Sequence, residues 1–213
     1  MGKLQQLLAT GALLTLGPLQ LAHAAAPSYT FDQPTSCGTW CYNDPGLTKL
    51  TDGVVGNAGW ALNSGAEWDG WVGVPAVNIT FQFAQNVKFS SVSVGSTQDS
   101  LGDVVLPSFD LWAYQGGNWV LKGSIVNPAS DANDHSPYDG GAHPMYVFSG
   151  LDFTASQVRI TATPGVQGSW VFVDEVGFNV SAVPEPASWA MLLAGLGLTA
   201  FTQRRRLAVK RAS

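Results

Sequence analysis

Apolar and polar residues alternate one for one through the middle of this 213-residue chain, in run after run. Ile79, Phe81 and Phe83 alternate with Asn78, Thr80 and Gln82, and Val92 and Val94 follow. Phe109, Leu111 and Ala113 alternate with Asp110, Trp112 and Tyr114. Val158, Ile160 and Ala162 alternate with Arg159 and Thr161, and a last apolar run extends from Val171 to Val180. A period of two puts one set of side chains on one face of a strand, so each run predicts a half-buried strand. Gly116-Gly117 supplies the positive φ angles of a tight hairpin, with Trp119 and Val120 on the return strand. No long 3.6-residue period interrupts these runs. Short strands joined by Gly-, Pro- and Asp-containing loops predict an all-β fold, an antiparallel β-sandwich.

Composition bears on what such a sandwich can bind. Glycine (24) and tryptophan (8) are abundant and only 12% of residues are charged, which excludes a disordered chain. Between residues 27 and 181 the cations are Lys49, Lys88, Lys122 and Arg159, against fourteen Asp and Glu, a net charge of −10. That acidity repels phosphate backbones and excludes nucleic acid as a partner, while it tolerates cations such as calcium. Cys37 and Cys41 are the two cysteines. Two thiols with no nearby histidine cannot complete a zinc site, so a local disulfide closing a small loop is expected. Its stabilising effect is limited, because a short loop removes little unfolded-state entropy.

Both ends read as targeting segments. Lys3, an apolar stretch from Leu7 to Leu21 and Ala22-His23-Ala24 follow the order of a secretory signal peptide, with cleavage expected after Ala24. At the other end Val183-Pro184-Glu185-Pro186 precedes an apolar run from Ala187 to Phe201, then Arg204-Arg205-Arg206. As a helix that run spans roughly 22 Å, short of the ~30 Å hydrocarbon core. Thr202, Gln203 and snorkelling arginines extend it. A transmembrane helix over 187–203 is expected, with the arginines cytoplasmic and the globular domain outside. The expected organisation is a signal helix at 1–24, a β-sandwich at 25–181, a sorting segment at 182–206 and a cytoplasmic tail at 207–213.

Pro184-Glu185-Pro186, the apolar helix and Arg204-Arg205-Arg206, in that order, resemble the PEP-CTERM sorting signal of Gram-negative bacteria. The resemblance implies an exosortase as partner, cleavage near Pro184-Glu185-Pro186, a tether in the inner membrane during transit, and delivery to the cell surface or an exopolysaccharide matrix.

The region from about 36 to 180 resembles the discoidin, or coagulation-factor C-type, domain, the jelly roll of many galactose-binding-like modules. Four pieces carry the likeness: Leu50-Thr51-Asp52-Gly53, Trp71-Val72-Gly73 running into Ile79 to Phe83, the hairpin from Phe109 to Trp119, and Val173-Asp174-Glu175-Val176 as a closing strand. The resemblance implies a structural calcium between the early Asp-Gly loop and the closing acid. Asp52 and Glu175 would give carboxylates, Leu50 and Asn57 loop oxygens, and Asp174 a backbone carbonyl, a mixed oxygen set of the kind calcium takes. Read without the resemblance, Asp52 is an Asp-Gly turn that needs no metal. The resemblance also implies sugar binding by loop aromatics, with Trp60 and Trp68, aided by Asn63, as the stacking candidates. Trp71 falls at a core position. For any one tryptophan, burial in the core is the competing assignment.

No Gly-x-Ser-x-Gly elbow, His-Glu-x-x-His or phosphate-binding loop is present, so an enzyme is not expected. The segment from Asn127 to Pro144 carries Asp131, Asn133, Asp134, His135, Asp139 and His143, in no ligand spacing that defines a metal site, and reads as a solvated loop. Two functions remain: a non-catalytic glycan-binding module acting on extracellular polysaccharide, and a structural matrix protein whose loops make protein contacts.

Overall fold

The computed structural model describes residues 26–56, 60–61, 67–98, 103–126, 143–183 and 193–200. The expected signal segment 1–24, Asn57, Asn63, the sorting residues Pro184, Glu185, Pro186, Arg204, Arg205 and Arg206, and positions 127–142 lie outside the described residues.

Among the described residues nine strands form two sheets: β1 (Ser28–Phe31), β2 (Asp69–Val72), β3 (Val77–Gly95), β4 (Ser108–Gln115), β5 (Asn118–Ile125), β6 (Met145–Phe148), β7 (Phe153–Thr163), β8 (Trp170–Val173) and β9 (Val176–Ala182). The large sheet runs β1-β3-β7-β4-β5, with β6 and β9 also on β3, and β2-β8 form the small sheet. All strand pairs are antiparallel. The 19-residue β3 organises the sheet. One of its edges pairs β1 and then β9; the other pairs β7 and then β6.

The alternation expected from sequence is the alternation observed. Val77, Ile79 and Phe81 of β3, Phe109, Leu111 and Ala113 of β4, and Val158, Ile160 and Ala162 of β7 are all fully buried. Trp71, Val171 and Val173 of the small sheet close the same core cluster from the other layer. Removing one large member, such as Phe81→Ala, costs about 3–5 kcal/mol, because transfer and cavity terms add. The polar face of the large sheet is knitted across strands by Thr161 Oγ1 to Asn78 Oδ1 at 2.6 Å and Arg159 Nε to Thr80 Oγ1 at 3.3 Å. Buried positions in β3 are odd-numbered through Phe89 and even-numbered at Val92 and Val94. A register shift between Phe89 and Ser91 accounts for the change, since one extra residue inverts the parity of every side chain beyond it. Gly116 and Gly117 take φ of 58° and 84° in the β4–β5 turn, as the hairpin requires.

Three segments depart from expectation. Trp71-Val72 does not run into Ile79: β2 ends before Gly73, whose φ of 66° turns the chain, and β2 belongs to the small sheet. The apolar run from Val171 to Val180 is two strands in two sheets, parted at Asp174-Glu175, so these acids lie in a connection and not within a closing strand. The third departure is in the tail. Residues 193–200 form an exposed α-helix, about 12 Å long at 1.5 Å per residue. Of the span expected at 187–203 only this part is described, and among the described residues no helix is long and apolar enough to cross a membrane.

Candidate functional site

The early Asp-Gly loop is built on a short 3-10 turn, Lys49–Thr51, whose apolar member Leu50 is buried in the main core. The first N–H groups of such a turn have no partner within it. Asp44 supplies one: its Oδ2 accepts from Thr48 N at 2.8 Å and from Lys49 N at 3.1 Å. The Tyr29 hydroxyl donates to the same oxygen and accepts from Leu50 N at 3.0 Å. Burial, reinforced by Asp44, raises the Tyr29 phenol above its ordinary pKa, so it stays a donor. Lys49 folds back to donate to the Trp68 carbonyl at 3.1 Å, with its Nζ 3.6 Å from Asp69 Oδ1. Asp69 is completely buried, and among the described residues neither of its oxygens has a hydrogen-bond partner. Desolvation pushes its carboxyl up to about 7 despite the attraction of Lys49.

Beyond the turn, Asp52 Oδ1 accepts from Val54 N at 2.8 Å, the local side-chain turn an Asp-Gly pair favours, and Gly53 takes φ 83°. Gly53 N donates to Glu175 Oε2 at 3.2 Å. The tertiary fold thus brings together Leu50, Asp52, Asp174 and Glu175, four of the five residues expected around a cation; Asn57 is outside the described residues. Burial raises the Glu175 carboxyl to about 7, and the charges of Asp52 and Asp174 add to that rise against the Gly53 N–H. Asp174 is raised to about 6, again chiefly by burial. Its carboxylate is committed to backbone: Oδ2 accepts from Gly56 N at 2.6 Å and Oδ1 from Glu175 N at 2.7 Å. A Cβ on Gly95 would fall inside this carboxylate, so glycine is required there. Among the described residues no three His, Cys, Asp or Glu side chains converge on one point. A cation here would be held by the Asp52 and Glu175 carboxylates and by carbonyls of the 50–54 loop, with Asp174 offering its backbone carbonyl. That set of hard oxygens, two carboxylates with loop carbonyls, fits calcium.

The tryptophans separate by burial. Trp71 is in the main core, as expected. Trp68 is 1% exposed and packs with Tyr42, Val104, Trp170 and Phe172 in a second apolar cluster. His143, expected on a solvated loop, is itself buried, 4.9 Å from the Trp68 ring. Trp68 therefore has no free face for a sugar, and its assignment as a stacking residue is corrected. Aromatic rings cover it because the small sheet has a second apolar face, formed by Trp170 and Phe172. Trp60 is half-buried and stacks on Phe172 at 5.5 Å. Among the described residues the tryptophan that does face solvent is Trp40, 57% exposed, which sequence reasoning passed over. Its one signal was its place inside Cys37-Gly38-Thr39-Trp40-Cys41. Those cysteines form the expected disulfide, and Trp40 borders two surface clefts of about 270 and 150 Å3.

Comparison with known proteins gives a sequence match at the tail and fold matches for the domain. Residues 182–206 match the PEP-CTERM protein-sorting motif, which marks the chain as an exported, sorted protein. No curated protein matches the chain. A structure of the Streptococcus pneumoniae beta-galactosidase BgaA is similar at a TM-score of 0.50 and 13% identity, over 75% of this chain and 92% of that one. A CBM32 module of a GH31 protein, solved bound to GalNAc, gives a TM-score of 0.48 at 15% identity, over 72% of this chain and 98% of that one. A pectin-binding carbohydrate-binding module gives 0.44 at 12% identity, over 77% and 96%. The chain therefore joins a tail that matches the PEP-CTERM protein-sorting motif to a β-sandwich whose fold is similar to that of the BgaA structure.

Proposed function

We propose that this protein is a non-catalytic glycan-binding module, sorted by an exosortase to the cell surface or an exopolysaccharide matrix, and braced by a structural calcium ion. The observation that carries the reading is the exposure of Trp40 beside two clefts, where every other described tryptophan is buried or half-buried. A large aromatic held in water offers a flat apolar surface, and such residues are enriched where proteins bind other molecules. Calcium at Asp52 and Glu175 would tie the 50–54 loop to the β8–β9 connection, two segments otherwise joined by hydrogen bonds to backbone amides. Its role is to hold these loops, with no part in bond breaking.

Retention of the purified protein by polysaccharides, in calcium and in chelator, tests this reading. Retention that weakens in chelator supports it; no retention by any polymer, with an unchanged melting temperature in chelator, overturns both parts. Fractionation of the host with and without its exosortase tests the sorting route: accumulation in the membrane fraction is expected when the exosortase is absent. A structural protein making protein contacts is the second reading, favoured by Val120 and Leu121 (39% and 48% exposed) on β5, the outermost strand of the large sheet. Concentration-dependent self-association without glycan retention supports that alternative.

A further inference from the structure

Trp40 sits at the tip of a small hairpin that is fixed from below. Its Cys37 and Cys41 ends are joined by the disulfide. Across the hairpin Tyr42 N donates to Ser36 O at 2.9 Å and Gly38 N to Trp40 O at 3.0 Å. The hairpin is docked on β2 by Ser36 N to Gly70 O at 2.8 Å, Gly70 N to Tyr42 O at 3.0 Å, and Val72 N to Ser36 Oγ at 3.0 Å. Tyr42, the residue after the disulfide, is buried edge-on against Phe172 at 4.7 Å. The backbone that carries the exposed indole is therefore immobilised before any ligand arrives.

The two clefts share Thr39 and Trp40. One continues to Cys41, Tyr42 and Ala61, the other to Val72 and Trp170. Each is smaller than the ~300–1,000 Å3 typical of drug-sized sites, which suits single sugar rings laid on either flank of one indole. Among the described residues neither cleft has a charged lining residue. The four cations of the domain are all engaged elsewhere: Lys49 with Asp69 and the Trp68 carbonyl, Lys88 with Asp152, Lys122 with Gln115 and the Phe153 ring, and Arg159 with Thr80 and the Trp119 ring. With a net charge of −10 over residues 27–181, the domain repels uronate-rich polymers and has no free cation to pair with their carboxylates.

From this geometry we infer that the Cys37–Cys41 hairpin is a preformed platform that binds neutral polysaccharide, with consecutive sugar rings packed in the two clefts bordered by Trp40. The inference rests on the glycan-binding reading and names the class of ligand and the residue that carries it. Fixing the hairpin in advance removes an ordering cost that a flexible loop would add on binding.

Affinity electrophoresis of the full protein through gels containing β-glucan, galactomannan or arabinoxylan, and in parallel pectin or alginate, tests it. Wild-type retardation is expected in at least one neutral polymer, unchanged by added salt, with none in the anionic pair. Trp40→Ala should weaken binding by at least about tenfold, as loss of a central aromatic anchor does. Trp40→Tyr, which keeps an aromatic face, should retain most of it. The Cys37→Ser/Cys41→Ser double variant should bind more weakly while keeping Trp40. Melting curves of Trp40→Ala should match wild type, because the removed side chain is mostly in water. Equal retardation of wild type and Trp40→Ala overturns the platform and leaves the glycan-binding reading intact, as does binding confined to pectin or alginate. Retention by no polymer overturns both.

Discussion

The Asp174 carboxylate accepts the backbone N–H of Gly56 at 2.6 Å, across 118 residues of sequence. Its other oxygen accepts from Glu175 N at 2.7 Å. Both oxygens are acceptors, so Asp174→Asn turns one of them into a donor facing an N–H. The expected loss is about 1–3 kcal/mol, from one buried amide left unpaired. Gly95→Ala should cost at least as much, since its Cβ would displace the same carboxylate. Urea unfolding midpoints of the two variants check this; wild-type midpoints would refute it.

Calcium should raise the melting temperature, and chelator should reverse the rise. At a hundredfold excess over its dissociation constant a ligand that binds the folded state adds about 2.7 kcal/mol. For a domain of this size that is about 5 °C or more. Glu175→Gln removes a carboxylate from the expected set and should abolish the calcium-dependent shift. A full shift in that variant would place the ion elsewhere or nowhere.

Asp69 should make stability fall as pH rises. Its folded pKa is about 7, above the ordinary 3.8, so the folded state holds the proton more tightly. Its favourable contribution is fully present below pH 4 and is lost as pH rises through 7. The size is at most about 4 kcal/mol, from roughly three pH units at 1.36 kcal/mol each. Asp69→Asn should lessen the dependence of melting temperature on pH between 5 and 8, with the remainder set by Glu175 and Asp174, which burial raises in the same direction. An unchanged slope would show that another group sets it.

Tyr29→Phe deletes a hydroxyl that serves the early loop twice, donating to Asp44 and accepting from Leu50 N. About 2 kcal/mol of stability should be lost, because Leu50 N is buried and has no water to replace the phenol. The variant also loosens the turn that leads into Asp52 and should raise the calcium concentration at half-saturation. Thermal melts across a calcium titration read both effects.

Much of the fold was legible because burial in a sheet follows a period of two. Phe81, Leu111 and Ile160 announce their inward faces by their neighbours alone. The Gly116-Gly117 turn was legible for a local reason too, the positive φ that glycine takes freely. The break at Asp174-Glu175 was not. An apolar run looks the same whether it stays in one sheet or crosses between two, and partner strands decide that.

By itself the sequence determined the sandwich, the disulfide and the sorting motif, each of which depends on residues close together in the chain. Which tryptophan meets solvent was decided only by the tertiary structure. Trp68 and Trp40 are the same residue type, and both lie in glycine-containing segments. The small sheet presents Trp170 and Phe172 on its second face, and Trp68 is drawn under cover with them. Trp40, held at the tip of its hairpin by the disulfide and by Gly70, is carried clear of the same cluster. Burial is a property of what surrounds a side chain, and in an antiparallel sandwich those surroundings come from distant parts of the sequence.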